Sequence, residues 1–397
     1  MFKEIKFDKN LLILFLLLVS IGILLQYTAN YPKNPIFFKN HLIWVGISLL
    51  LSPLLLFLSL HRLKEISLFL YLIGLFLLII VIFLPNSDGR WIRMRGFQFQ
   101  PSELMKIFFI IFIAKILSEF EDKKVNIKDL RLPIIVAGIP TFLVFIEPDI
   151  GTSAIFLFTF LGLIWTINIT IPLYILLLSP LISILCGFHL ISWILFMILL
   201  ITTILLAKLD LKSSILIFLF NTGVGASAPV ITKFLKPYQK ARLLNFLNPS
   251  KDPTGAGWQL LQSKISIGSG GLWGKGYLNG VIKNLGFLPQ TRTDFIFSVL
   301  GEEFGFIGTF AVIIIFTLFL LRILYIAQQA EKPFSKYLAY GIFFYFSSQV
   351  IINIAMTVGL LPVVGLPLPF LSYGGSSLLI STISISLLTL VKSDSVV

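Results

Sequence analysis

The stretch LPQTRTDFIFSVLGEEFG, residues 288–305, places three carboxylic acids in or beside a strongly apolar run. Asp294 stands directly before the apolar residues, and Glu302 and Glu303 lie among them. Ionised side chains in or beside a membrane span are costly, so they tend to mark function or a paired cation. Asp294 is also well placed to cap a helix that starts after it. From this stretch alone, catalysis, capping and ion pairing all stay open.

Missing motifs exclude several other chemistries. The glycine-rich GSGGLWGKG, residues 268–276, has Ser269 and Gly276 where a phosphate-binding P-loop needs Gly and then Ser or Thr. No lysine has a serine three residues before it and no G-x-S-x-G occurs, so nucleophilic serine catalysis has no candidate. The three histidines are scattered singly, which argues against a zinc site, and the lone Cys186 cannot form an internal disulfide.

The elements that must carry these acids are membrane spans. The chain has 397 residues, of which 57% are hydrophobic and only 12% charged, and its mean hydropathy is +0.97. Apolar stretches of roughly the length needed to cross a bilayer recur from end to end, and the first is too long for a signal peptide. We predict an all-α polytopic membrane protein with a single integral membrane domain over residues 1–397. The twelve predicted spans are 11–28, 41–60, 66–84, 102–118, 132–146, 153–168, 171–189, 190–207, 213–235, 296–321, 337–357 and 376–391.

Lysine and arginine in the short loops predict the orientation. Five loops on the N-terminal side of the membrane are basic, for example Lys123, Lys124 and Lys128, which predicts that both termini are cytoplasmic. The net charge of +13 indicates an anionic partner, and in a chain of membrane spans we expect membrane lipids and no nucleic acid.

Two regions predicted to lie outside are basic as well. One is GRWIRMRGFQFQPSE, which starts at Gly89, and the other is a long loop over about 236–295 that is rich in Gly and Pro. One interpretation is a basic loop that touches anionic headgroups, and the other is an outward-facing site for an anionic lipid. Loops this long usually carry function.

Four further polar residues fall at predicted helix ends. Glu103 and Lys106, three residues apart, form an ion pair if the segment is helical, either as a structural bridge or as a substrate contact. Glu147 and Asp149 stand in EPDIGTS at the outer end of the fifth span, where Asp149 is placed to cap the next helix.

Four stretches together resemble the SEDS family of bacterial cell-wall polymerases. They are GRWI…FQFQPSELMKI (89–107), EPDIGTS (147–153), ARLLNFLNPSKDPTGAGWQLLQSKISIGSGGLWGKGYLNG…LGFLPQTRTDFIFSVLGEEFG (241–305) and LPVVGLPLPFLSYGGSS (361–377). The resemblance covers nearly the whole chain. QSKISIGSGG and LGFLPQ resemble the elongation member of the family more than its division member.

The resemblance implies a peptidoglycan glycosyltransferase that joins lipid II units outside the membrane and releases undecaprenyl pyrophosphate. It makes Asp294 the essential acid, which we expect to act as general base. It implies a class B penicillin-binding protein as partner in the inner membrane. The sequence itself requires no cofactor, and a divalent cation stays open. Residues expected to bind substrate lie in the same motifs or in the flanking basic loops. They are Arg90, Glu103, Lys106, Arg242, Gln262, Ser263, Lys264, Ser372 and Tyr373.

The chain departs from the family pattern in four places. Gln290 and Arg292 stand where the family usually has Glu and His, and Glu147 stands where it usually has Gln. The family typically has ten spans, whereas this chain has about forty extra apolar residues between Thr166 and Lys236. We expect an inserted two-span hairpin at about 171–207, which keeps the long loop on the outside.

Two rival functions explain part of the same pattern. A lipid II flippase would use the same basic cavity without making bonds, and no inverted repeat of broken helices stands out in its favour. A structural scaffold for cell-wall enzymes would explain the apolar spans but not the chemistry of the outer loops. Within the resemblance, a division role is the alternative to elongation.

Overall fold

The computed structural model describes residues 6–30, 35–84, 89–94, 97–121, 123–234, 256–281 and 290–394. These residues form a helical bundle with one short β-hairpin. The helices are α1 (Lys9–Asn30), α2 (Pro35–Leu51), α3 (Leu60–Phe83), α4 (Pro101–Leu117), α5 (Arg131–Ile146), α6 (Ile150–Trp165), α7 (Ile171–Cys186), α8 (Leu190–Ala207), α9 (Leu211–Phe234), α10 (Ala256–Ser269), α11 (Ile296–Gln329), α12 (Pro333–Val358) and α13 (Gly375–Asp394).

Each of the twelve predicted spans coincides with a helix, so the all-helical prediction is confirmed. Eight helices of the described chain are long and apolar enough to cross a membrane, and three more, α5 to α7, are apolar but shorter. The twelfth, α4, carries Glu103, Lys106 and Lys115 within its 17 residues. A 3-10 helix over Ser52–Phe57 continues α2, beginning where Pro53 lacks the N–H that an α-helix would need.

The main core is built from the helices on either side of the long loop. Helix α4 has 14 buried residues, and α12 and α13 are the most enclosed of the long apolar helices. Helices that are apolar all round are buried, either in the core of a large soluble protein or in a membrane. Here the peripheral helices cover α4, α12 and α13 and expose their own leucines and phenylalanines to lipid. The polar residues of the core are therefore placed by packing rather than by solvent.

Helices α7, α8 and α9 form a second, smaller unit. Leu173, Leu176, Phe196, Leu200 and Ile204 make a buried cluster of their own. Tyr174 joins this unit to the main core by donating from its hydroxyl to the carbonyl of Leu161, at 3.1 Å. The two helices of the predicted hairpin, α7 and α8, are thus present and lie at the edge of the main core.

Both ends of the described chain meet at one end of the bundle. The backbone N–H of Lys6 donates to Ser393 Oγ at 3.0 Å, and the Arg322 guanidinium pairs with Asp8. Lys332 pairs with Asp394 at 2.8 Å. An even number of spanning helices requires this arrangement, so it agrees with the predicted count.

The two connections that we predict to lie outside hold more regular structure than the sequence predicts. Residues 92–94 and 97–99 form an antiparallel hairpin, β1 (Ile92–Met94) and β2 (Phe97–Phe99), directly before α4. The interval 236–295, predicted as a long loop, contains the 14-residue helix α10. Its buried residues recur every three, at Leu260, Ser263 and Ser266, which seats one face on α11 and α12.

Candidate active site

Three consecutive carbonyl groups around Asp294 are held by groups from three other elements. The carbonyl of Arg292 accepts from the Tyr373 N–H at 2.8 Å and from Gln26 Nε2 at 2.9 Å. The carbonyl of Thr293 accepts from Ser372 Oγ at 2.5 Å. The carbonyl of Asp294 itself accepts from Asn353 Nδ2 at 3.0 Å. We call Gln26, Asn353, Ser372 and the Tyr373 N–H the Asp294 clamp.

The clamp also ties down the segment that precedes α13. Gln26 Nε2 donates a second hydrogen bond to the carbonyl of Leu371 at 2.9 Å, and Asn353 Nδ2 donates a second to that of Leu366 at 2.6 Å. Both amides are fully buried. A buried amide is costly unless hydrogen-bonded, so these side chains hold two irregular backbone segments together inside the bundle. Asp294, 9% exposed, is thereby fixed just before the N-terminal end of α11.

Asp294 is not the cap of the helix that follows it. Helix α11 begins at Ile296, its N-cap residue is Phe295, and no side chain accepts a hydrogen bond at this cap. The alternative in which Asp294 is the N-cap residue therefore does not match the structure, because residues 290–295 form a turn and the helix begins one residue later. Of the alternatives left open by the sequence, simple capping is the one that the geometry removes.

A half-buried arginine lies beside Asp294. The Arg292 guanidinium carbon is 3.6 Å from the centroid of the Phe37 ring, and Phe37 makes an edge-to-face contact with Tyr373 at 5.8 Å. Stacking on an aromatic face holds the guanidinium plane while leaving its N–H donors at the rim. Within the described part of the chain, Arg292 has no carboxylate partner. The residue that replaces the usual His thus offers hydrogen-bond donors next to Asp294.

Glu302 fastens the glycine-rich loop to α11. Its Oε1 accepts from Lys275 Nζ at 2.8 Å and from the Val281 N–H at 2.7 Å, and the carboxylate is completely buried. Burying such a charge is tolerable only with a paired cation and further hydrogen bonds, and both are present. The first of the two glutamates in the opening stretch therefore has a structural partner.

The glycine-rich loop packs against α11 at Gly305, where the helix is broken. Gly305 has φ 65° and ψ −162°, so its neighbours lack the normal helical hydrogen bonds. The Lys275 N–H instead donates to the carbonyl of Glu302 at 3.0 Å, and the Phe306 N–H donates to that of Gly271 at 2.9 Å. A Cβ atom on Gly305 would lie 2.4 Å from Gly274 N, so the contact requires glycine. GSGGLWGKG is thus a docking segment for this break, and the N–H groups of Gly274, Lys275 and Gly276 donate to backbone carbonyls within the protein.

Glu303 faces a different element from its neighbour. Thr28 of α1 donates from Oγ1 to Glu303 Oε1 at 2.5 Å, in a fully buried contact. Consecutive helical residues point about 100° apart, so one glutamate reaches the loop and the other reaches α1. Together they fix the N-terminal part of α11 on both sides.

The Glu103–Lys106 pair is confirmed. Lys106 Nζ lies 2.8 Å from Glu103 Oε1, and both side chains are almost completely buried. Lys106 Nζ also lies 5.0 Å from the centroid of the Tyr345 ring. Among the described residues, the polar contacts of this pair run to α12 rather than to the Asp294 clamp.

Arg90 and Asp149 anchor the hairpin to the connection between α5 and α6. Arg90 Nε donates to the carbonyl of Glu147 at 2.8 Å, and its Nη2 donates to that of Pro148. Asp149 is the N-cap of α6, as predicted, and accepts from the Thr152 N–H at 3.0 Å and from Gln100 Nε2 at 2.9 Å. Arg90 is therefore engaged with backbone carbonyls in this structure.

Glu147 is buried in the same connection, and no hydrogen bond from the described part of the chain offsets the burial of its carboxyl group. Neither of its carboxylate oxygens has a hydrogen-bond partner among the described residues. Burial raises the pKa of Glu147 to about 8, helped by the nearby Asp149 charge and opposed by Arg90. The carboxyl group is thus mostly protonated at neutral pH, which resembles the neutral Gln that the family usually has there.

The three candidates on α10 have different surroundings. Ser263 Oγ lies 2.7 Å from Ser298 Oγ and donates to the carbonyl of Thr357 at 2.7 Å, so it joins α10 to α11 and α12. Gln262 is buried, whereas Lys264 is exposed and crosses Gly359 at the end of α12. Arg242, the other expected cation, lies outside the described residues.

Gln26 and Asn353 were missed by the sequence reasoning. Each is a single amide within an apolar run, as in VIINIAMTV around Asn353. An intramembrane polar residue is itself a signal. Acids and cations indicate a reaction by their type alone, whereas a single amide does not.

The whole chain matches one family. The family profile FTSW_RODA_SPOVE, described as cell cycle protein, matches residues 8–193 and 168–396. The chain belongs to this family. The SEDS resemblance is thereby confirmed, and the chain is an integral membrane protein.

Relatives of this family carry different names. The chain is 32% identical over 402 residues to the probable peptidoglycan glycosyltransferase FtsW of Coxiella burnetii, covering 96% of this chain and 95% of that one. It is 35% identical over 316 residues to the peptidoglycan glycosyltransferase MrdB of Escherichia coli, and the match covers 79% of this chain and 74% of that one. A solved chain from a peptidoglycan synthase complex that coordinates polymerization and crosslinking is 28% identical, with a TM-score of 0.72 over 98% of both chains.

Proposed function

We propose that this protein is a peptidoglycan glycosyltransferase that polymerises lipid II, the undecaprenyl-pyrophosphate-linked disaccharide peptide. The observation that carries the proposal is the Asp294 clamp, which holds one buried acid rigidly at the outer end of α11. A structural salt bridge or surface acid would need no such support. The names of the relatives FtsW and MrdB agree with this activity.

In the proposed reaction, Asp294 takes the proton from the 4-hydroxyl of the acceptor sugar as that oxygen attacks the anomeric carbon of the donor. The bond between the anomeric carbon and the pyrophosphate oxygen breaks, and undecaprenyl pyrophosphate leaves with the bonding electrons. A single displacement inverts the anomeric centre. Asp294 then returns its proton to water.

Cationic groups beside Asp294 would stabilise the charge that collects on the leaving pyrophosphate. Among the described residues, Arg292 is held by Phe37 next to Asp294, and Lys264 is exposed on α10. Arg242 joins this set as proposed from the sequence. Arg90, Ser263 and Ser372 bond to backbone in this structure, which favours positioning of the site over direct contact with substrate.

The remaining substrate candidates keep proposed roles of two kinds. Gln262 and Tyr373 lie on the elements that surround Asp294, and the Tyr373 ring contacts the ring that supports Arg292. The buried Glu103–Lys106 pair lies on α4, and Lys106 contacts Tyr345 of α12. If either residue changed its partner, the packing of α4 against α12 below the β-hairpin would change. We keep this pair as a candidate for coupling substrate binding to that packing.

The proposed orientation places both termini in the cytoplasm and Asp294 outside the inner membrane. Basic connections on the side of the termini support it, among them Lys208 and Lys212 beside Asp210. A reporter fused near Asp210 should therefore read as cytoplasmic, and an extracellular reading would reverse the assignment. We also propose the elongation role, on QSKISIGSGG and LGFLPQ, with a class B penicillin-binding protein as partner.

Purified protein incubated with labelled lipid II tests the proposed activity. We expect a glycan polymer that a muramidase digests. We also expect one undecaprenyl pyrophosphate to be released for each glycosidic bond that forms. Lipid II that crosses the membrane of a vesicle without any polymer would identify a flippase instead. Adding a class B penicillin-binding protein to the same assay separates an enzyme that needs its partner from an inactive chain.

A further inference from the structure

A groove lies at the end of the bundle where both termini meet. It has a volume of about 430 Å³ and runs between α1 and α11. Its walls are Ile13 and Leu14 on one side and Leu318 and Leu321 on the other. Asn10, Arg322 and Tyr325 complete the lining. The groove is apolar along its length and polar at the end near the N-terminus.

Arg322 at the polar end is fixed but incompletely bonded. Its Nε donates to Asp8 Oδ1 at 2.8 Å and its Nη2 donates to Asp8 Oδ2 at 2.7 Å. A guanidinium has five N–H donors, so three remain, and they have no hydrogen-bond partner among the described residues. The Tyr325 ring also lies 4.6 Å from the guanidinium carbon. A rigid planar cation with unused donors suits a phosphate group.

Two lysines lie near the ion pair of Arg322 and Asp8. Lys392 Nζ lies 5.9 Å from the centroid of the same Tyr325 ring, and Lys9 is exposed next to Asp8. Asp8 is buried, and despite the opposing effect of burial, the hydrogen bonds from Arg322 and from the Leu11 N–H lower its pKa. Asp8 therefore stays ionised and keeps Arg322 oriented.

We propose that this groove binds one phospholipid with a net negative charge from the leaflet on the side of the termini. The phosphodiester accepts hydrogen bonds from the three unused N–H groups of Arg322. An acyl chain lies between the α1 and α11 walls, in contact with Leu14 and Leu318. Lys9, exposed at the start of α1, favours an anionic headgroup over a zwitterionic one, because basic residues near the surface attract anionic lipid. The site is at the opposite end of the bundle from Asp294 and does not depend on the proposed reaction.

Retention of defined lipids by the purified full-length protein tests this proposal. Protein in mild detergent is mixed with equal amounts of phosphatidylglycerol and phosphatidylcholine, and bound lipid is counted by native mass spectrometry. We expect one phosphatidylglycerol to be retained at least about fivefold over phosphatidylcholine, the preference that roughly one cation near the surface provides. Equal retention of the two lipids by the wild type would overturn the proposal.

Two variants locate the site. Leu318→Trp fills the groove and should abolish the preference, and Arg322→Lys keeps the charge for Asp8 but loses the planar fork, so it should weaken the preference severalfold. Leu68→Trp on α3 is the control, since Leu68 is 46% exposed and lies outside the groove. Each variant is checked by its melting temperature. If Leu318→Trp fails to fold, Arg322→Lys decides alone, and an unchanged preference in the folded variants would place the lipid elsewhere.

Discussion

Asn353 should matter more for activity than its distance in sequence from Asp294 suggests. In Asn353→Leu, a side chain of similar size removes both hydrogen bonds from Nδ2 and leaves the carbonyls of Asp294 and Leu366 without these donors. Each buried polar group left unsatisfied costs about 1–3 kcal/mol, so we expect a stability loss of about 2–6 kcal/mol. The backbone at Asp294 also gains freedom, and a misplacement of about 1 Å is enough for a rate loss of about 100-fold.

The matched control lies one helical turn away. Gln349 is equally buried on α12 and donates a single hydrogen bond to the carbonyl of Pro367 at 2.9 Å, and among the described residues this bond does not reach residues 292–294. Gln349→Leu should therefore lose about 1–3 kcal/mol of stability without a comparable loss of rate. Both variants are measured for melting temperature and for lipid II polymerised per folded molecule. Equal activities for the two variants would refute the positioning role of Asn353.

Three further predictions concern other parts of the structure. Glu302→Gln should lower stability by about 1–3 kcal/mol and expose residues 275–281 to limited proteolysis. Adding Lys275→Met should recover part of the lost stability, because no unpaired cation then remains. Unchanged proteolysis would mean that the pair of Glu302 and Lys275 does not hold the loop. Because Glu147 has a pKa of about 8 in the folded protein against an ordinary 4.5, folding is favoured at low pH and stability falls as pH rises toward 8. Glu147→Gln should thus raise the melting temperature at pH 8 and flatten its pH dependence above about pH 5, whereas a slope equal to that of the wild type would show that Glu147 does not titrate in this range. Arg292→Ala should reduce polymerisation more than Arg292→Lys does, and equal activity of both variants and the wild type would return Arg292 to a packing role on Phe37.

The helices could be predicted from the sequence because apolar length alone determines them in a membrane. The irregular segments could not. Helix α10 is only partly apolar and lies within a stretch rich in Gly and Pro, so its packing on α11 and α12 decides its structure. The break at Gly305 is likewise set by the docked loop, since a helix can include a glycine without breaking.

The candidate site shows the same division between local and distant causes. Asp149 as a cap and the Glu103–Lys106 pair follow from spacings of three residues, and both are confirmed. The Asp294 clamp joins residues separated by 59 to 266 positions, and no local pattern indicates such contacts. The turn over 290–295, which moves the cap from Asp294 to Phe295, has the same kind of cause, because the clamp fixes its carbonyls.

Polymerisation of lipid II by Asp294→Asn tests the central claim most directly. Asn keeps the shape of the side chain and cannot accept the proton, and no cap is lost because Asp294 does not cap α11. Asp210→Asn, at an exposed carboxylate in the connection between α8 and α9, is the control. We predict that Asp294→Asn folds with a melting temperature close to that of the wild type and loses at least about 100-fold in polymer formed, whereas the control keeps full activity. Wild-type polymer yield from a folded Asp294→Asn protein would contradict the assignment of Asp294 as the base.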